Sequence, residues 1–190
     1  MSIFSRDLVD PLLAPNKKVN KIRTPKNRER SADELVKEIE ERMSEFWLPA
    51  IYSQHILKLR TRSYDFPSLP RNSVPEIQHT LLGIELKVGS KRMLCPDLAT
   101  ARYLAAFARA GCKAIAIPYD ITKISRLADE IESSWHRMML MADSLTNKRS
   151  VRFATRVRTM LVGKVREAIA AAGAGTRIPE FKQTTRQVRR

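Results

Sequence analysis

Two groups of residues in this chain have the types and spacing to do chemistry. In Leu82-Gly-Ile84-Glu-Leu86-Lys-Val88 apolar residues alternate strictly with the rest. Side chains two apart on a strand share a face, so Glu85 and Lys87 stand side by side on one face of a predicted strand. A carboxylate there can hold a hard cation such as Mg2+, and the neighbouring ammonium can position water or steady charge developing on a phosphate. The same Glu-x-Lys spacing also makes ordinary surface ion pairs on strands.

The second group is a row of cations, Arg149, Arg152, Arg156, Lys164 and Arg166, on one side of a helix predicted over 149–172. Ala154, Val157, Leu161, Val165 and Ala168 form the opposite side, and Arg158 breaks the separation. A merely solvated face usually carries compensating acids four residues away, and Glu167 is nearly alone here. A membrane-surface helix wants bulky apolar anchors, whereas Ala168 to Ala172 is mostly small. Phosphate contact is the preferred reading, with a solvated face and a membrane-surface helix as the alternatives.

The distribution of charge over the whole chain points the same way. The 190 residues carry a net charge of +15. Residues 1–30 hold eight Lys/Arg and three Asp/Glu, a net of +5, and residues 148–190 hold twelve against two, a net of +10. Residues 31–147 hold fifteen of each sign. Basic ends on a neutral body favour polyanion contact driven by released counterions. Lys17, Lys18, Lys21 and Arg23 in the N-terminal segment, and Arg189 and Arg190 at the other end, are therefore candidate phosphate ligands, as are Lys91 and Arg92 at a hairpin tip.

Other chemistries lack their residues. Cys95 and Cys112 belong to no CxxC pair and His55, His79 and His136 stand apart, so a zinc site is not expected. Both cysteines sit in apolar surroundings and read as buried free thiols of a reducing compartment. No Gly-rich phosphate loop or GxSxG is present. No apolar run approaches the roughly 18 residues of a spanning helix. Asp7, Asp10 and Pro11 interrupt any signal-peptide core, leaving the cytoplasm as the expected location.

Several elements must position these groups. Residues 1–30, with Pro11, Pro15 and Pro25, read as an extended basic arm anchored by Leu8, Val9, Leu12 and Leu13. Ser31-Ala-Asp-Glu34 is a capping box, and Leu35, Val36, Ile39, Met43, Phe46 and Trp47 continue at helical spacing until Pro49. A short helix is predicted from Pro49 to about Arg60, then an irregular connection to Pro75. Gly89-Ser90 suits a II′ turn, which puts Val88 opposite Lys91, Leu86 opposite Met93 and Ile84 opposite Cys95. Asp97 caps a helix that ends at Gly111, and Ala114-Ile-Ala-Ile-Pro118 reads as an interior strand. A long helix over 124–145 follows. The expected fold is α/β or α+β: a core over 31–147 with one small mixed sheet holding both the 80–95 hairpin and the 113–118 strand. Flanking helices pack on it, and a basic helix and tail follow over 148–190.

The stretch Ile84-Glu-Leu-Lys-Val-Gly-Ser-Lys-Arg-Met-Leu-Cys-Pro-Asp97, followed by Ala101 to Gly111 and Ala114 to Ile117, resembles part of the PD-(D/E)xK nuclease fold. The likeness covers about residues 82–118 and is to the archaeal Holliday-junction resolvase branch. It implies that Glu85 is a metal ligand, Lys87 the catalytic lysine and Mg2+ the cofactor. Asp65 or Glu76 would be a second ligand, and Glu34 or Glu38 a helix carboxylate. The sequence departs from the family pattern, which has an Asp on the neighbouring strand: Glu76 is read into the strand of Glu85, and Asp65 into the irregular connection. That leaves room for a relative that keeps the shape and only binds.

Three functions compete on these residues. One is a DNA- or RNA-binding protein gripping phosphates with its ends. Another is a metal-dependent nuclease, and the third is an assembly subunit of a larger nucleoprotein complex.

Overall fold

The computed structural model describes residues 30–67 and 74–176. The first helix, α1 (Ala32–Met43), starts where the capping box requires: Ser31 Oγ accepts from the Glu34 N–H at 3.2 Å, and the Glu34 carboxylate accepts from the Ser31 N–H at 2.8 Å. Leu35, Val36, Ile39 and Met43 form its buried stripe. A 3-10 turn (Ser44–Phe46) leads to α2 (Leu48–Ile51), which continues as a single wide π-type turn over Tyr52–Ile56.

The strands divide between two sheets. β1 (Thr61–Asp65) pairs antiparallel with β5 (Ala114–Pro118), while β2 (Pro75–Thr80), β3 (Gly83–Val88) and β4 (Lys91–Cys95) form an antiparallel meander. The α+β expectation stands, but the single sheet does not. After β4 the chain runs through α3 (Leu98–Ala110) and then pairs β5 with β1 instead of returning to the meander. The segment after Thr61 is accordingly a strand, not an irregular connection. The hairpin register is the one expected, with Gly89 at a φ of +61° supplying the left-handed first position of the turn.

A two-stranded ribbon is marginal alone, and its outward-facing backbone groups need partners. Here both edges are satisfied at the same rung, Ser63 opposite Ala116. On the β1 side the Ser63 N–H donates to the Thr176 carbonyl at 2.8 Å. On the β5 side the Tyr52 hydroxyl accepts from the Ala116 N–H at 2.9 Å, and the Tyr103 hydroxyl donates to the Ala116 carbonyl at 2.6 Å. Tyr52 in turn donates to the Gly173 carbonyl at 2.6 Å. Burial pushes its phenol up to about 12, so it stays a donor throughout the ordinary pH range. Tyr52→Phe strands a buried N–H and is expected to cost about 1–3 kcal/mol, read as a lower denaturant midpoint with an unchanged slope.

α3 packs between the meander and α4 (Ile124–Thr146). It is capped by Asp97, which accepts from the Thr100 N–H at 2.7 Å, and it ends at Gly111 with φ of +71°. The last helix, α5 (Val151–Ala172), lies against α1, α4 and α3, and Val157, Leu161, Val165 and Ile169 are 0% exposed. Ile169 thus holds the place in the apolar stripe expected of Ala168. These four belong to one continuous core with α1, α3 and β5, so the folded unit does not end at residue 147 but runs through Ala172. Cys95 and Cys112 are both buried and unpaired, and burial raises both thiols, Cys112 to about 12. Among the described residues no helix is long and apolar enough to cross a membrane.

Candidate functional site

β3 places its two chemical residues as alternation requires. Leu86 and Val88 are buried on the face covered by α3, and Glu85 and Lys87 lie on the other. The neighbouring strands complete that face in two rows: Glu76, Lys87 and Arg92 side by side, then Gln78, Glu85 and Leu94. Glu76 is therefore on the adjacent strand, correcting its assignment to the strand of Glu85. The signal lay in Pro75-Glu-Ile-Gln-His79, whose alternation ends at the two-residue turn Leu81-Leu82.

Most charges on this face are engaged. Lys87 Nζ lies 3.5 Å from Glu76 Oε2, which also accepts from Gln78 Nε2 at 3.3 Å. Thr80 donates to Glu85 Oε1 at 3.5 Å. Glu85 is only 9% exposed, and its Oε2 is sealed from solvent without a hydrogen bond, alone in this among the described side chains. Arg92 Nη1, at 3.7 Å, acts on that oxygen through charge and not through a hydrogen bond. A buried, unbonded carboxylate oxygen is costly, and such atoms in a folded protein call for a reason. A pocket of about 240 Å³ lies beside this face, between Val74, Glu76, Lys87 and Gly89.

The donor set for a divalent cation is thin. Asp65 is on β1, in the other sheet, opposite Ala114. Glu34 is engaged in the capping box, and Glu38 pairs with both Arg30 and Arg42 at 2.5 Å. Among the described residues no group of three or more His, Cys, Asp or Glu could hold a metal. Glu76 and Glu85 are the two carboxylates that share a face. They could supply two of the oxygens Mg2+ wants only if Lys87 and Arg92 turned away.

The basic helix separates into structural and open cations. Lys164 ion-pairs with Glu40 of α1. Arg166 lies over the C-terminus of α3: a methyl at Gly111 would sit 3.5 Å from its Nη1, so the guanidinium complements the negative end of that helix. Arg158 is explained by Asp143 of α4, which accepts from its Nε at 2.8 Å. Arg149 donates to the Arg30 carbonyl at 3.1 Å and lies over the Phe153 ring at 4.9 Å. Arg152 and Arg156, one turn apart, are exposed and have no acidic partner among the described residues. Lys91 is exposed at the turn next to Arg92. Lys17, Lys18, Lys21, Arg23, Arg189 and Arg190 lie outside the described residues.

No family model, curated protein or solved structure matches the chain.

Proposed function

We propose that this protein binds nucleic acid through its basic ends. The observation that carries the reading is the location of its charge: a surplus of +15 falls wholly in residues 1–30 and 148–190. Within the second of these, Arg152 and Arg156 project from a well-packed helix with no acid to neutralise them among the described residues. Two guanidinium groups one helical turn apart, on a rigid element, can each take a phosphate oxygen, and the flanking segments add charge without demanding a particular base sequence. The contacts would then position a strand or duplex by its backbone. Competition binding with duplex DNA, single strands, four-way junctions and structured RNA tests the reading, which requires that at least one of these bind.

A second reading is favoured by one observation, the presence of Glu76 and Glu85 on adjacent strands beside Lys87. Bound Mg2+ would supply Lewis acidity to a phosphodiester, with Glu85 and Glu76 as the residues to hold it and Lys87 to steady the charge that develops. Under this reading Glu85→Gln and Lys87→Ala each abolish Mg2+- or Mn2+-dependent cleavage while binding survives. Under binding alone both substitutions leave affinity unchanged and no cleavage is seen with the unaltered protein. An assembly subunit would instead bind short nucleic acids weakly and without preference, and co-purify with a defined complex.

A further inference from the structure

A groove of about 410 Å³ runs between the C-terminal end of α1 and the C-terminal half of α4. Its floor is Met43, Phe46, Leu140 and Met141, and its rim carries Arg42 and Arg137. Phe46 and Leu140, 47% and 66% exposed, adjoin in this groove, and it is such contiguous apolar surface that marks a docking site. The Arg137 guanidinium lies 4.4 Å over the Phe46 ring and has no acidic partner among the described residues. Among the described residues Arg42 has Glu38 as its acidic partner and shares it with Arg30. The groove is thus apolar below and cationic above.

Its natural occupant is an apolar segment that also carries acids, and this chain contains one. Residues 3–13 hold Ile3, Phe4, Leu8, Val9, Leu12 and Leu13 together with Asp7, Asp10 and a single cation, Arg6, so the segment is net acidic where the stretch beginning at Lys17 is basic. We propose that residues 3–13 dock in this groove on their own chain, with the apolar side chains on Phe46 and Leu140 and the two aspartates toward Arg42 and Arg137. The tether permits it. Residues 14–29 join the segment to Arg30, at the start of α1, and α1 is about 18 Å long at 1.5 Å per residue. Sixteen residues reach up to about 50 Å when extended, more than twice that length. Docking would also draw Lys17 to Arg28 back along the protein surface and fix where that cationic stretch lies.

A photo-activatable benzophenone amino acid in place of Leu140, in the full chain at low concentration, tests this. The expected product is an internal crosslink to residues 3–13, mapped by mass spectrometry. Its yield should fall at least fivefold when Asp7→Lys and Asp10→Lys are combined, and again with Leu8→Ser and Leu12→Ser. Circular dichroism of each variant separates a lost crosslink from lost folding. Crosslinks only between chains would overturn the proposal in favour of a second copy. Crosslinks to an added oligonucleotide in place of residues 3–13 would assign the groove to nucleic acid, and the absence of any crosslink to residues 3–13 would equally end it.

Discussion

Deleting residues 148–190 is expected to unfold the protein, whereas deleting only 177–190 is expected to leave it folded and, under the proposed function, to weaken its affinity for nucleic acid. The difference rests on α5. Val157, Leu161, Val165 and Ile169 are fully buried, and burying side chains of this kind contributes about 1.5–3 kcal/mol each. Four of them approach the whole stability of an ordinary domain, about 5–15 kcal/mol. The longer deletion also removes the Gly173 carbonyl that takes the Tyr52 hydroxyl, the Thr176 carbonyl that satisfies β1, and the Arg166 guanidinium over the end of α3. Circular dichroism and a denaturant titration distinguish the two truncations directly. The shorter one removes five Lys/Arg and one acid, all beyond Thr176, and leaves every buried α5 residue in place. Its folded signal should be intact. On duplex DNA the steepness of its salt dependence should fall by about 0.9 logarithmic unit for each phosphate that the tail no longer neutralises. A 148–190 deletion that remained cooperative would show that α5 is an appendage after all.

The second large effect is charge reversal on the exposed side of α5. Arg152→Glu with Arg156→Glu is expected to lower affinity for DNA or RNA by about tenfold per site at low salt, uniformly across sequences. Neither side chain has an acidic partner among the described residues, so stability should move by no more than about 0.5 kcal/mol. Lys164→Glu is the informative control. Its ammonium pairs with Glu40, so reversal sets two carboxylates against each other on adjoining helices and should disturb stability more than binding. Equal losses of affinity at all three positions would mean that the pairing in the structure does not govern which cations meet phosphate.

What the sequence made legible was set by short-range physics. The Ser31–Glu34 box, the Asp97 and Gly111 caps and the Gly89-Ser90 turn are local hydrogen-bond devices, and each stands where its residue pattern puts it. The alternation around Glu85 likewise fixes which side chains share its face. The pairing of β5 is different. Thr61-Arg-Ser-Tyr-Asp65 has no strong apolar alternation, and it is a strand because β5, far along the chain, supplies its hydrogen bonds. Nothing local announces that partnership, so residue pattern alone assigns β5 to the wrong sheet. The cations of α5 show the same limit. Helical spacing groups Lys164 and Arg166 with Arg152 and Arg156, but Glu40, distant in sequence, withdraws Lys164 into an ion pair, and Arg166 lies against the end of α3. Glu76 is an intermediate case, since its strand is readable from Pro75 onward once Leu81-Leu82 is taken as a turn.

The proposed function rests on the positive surplus at the two ends of the chain holding phosphate. The most direct measurement is the affinity of the intact protein for duplex and single-stranded nucleic acid over a series of salt concentrations. Binding should weaken log-linearly as salt rises, with a slope that corresponds to several released counterions. A protein that leaves every DNA and RNA probe untouched at moderate ionic strength, or binds with an affinity indifferent to salt, would contradict it.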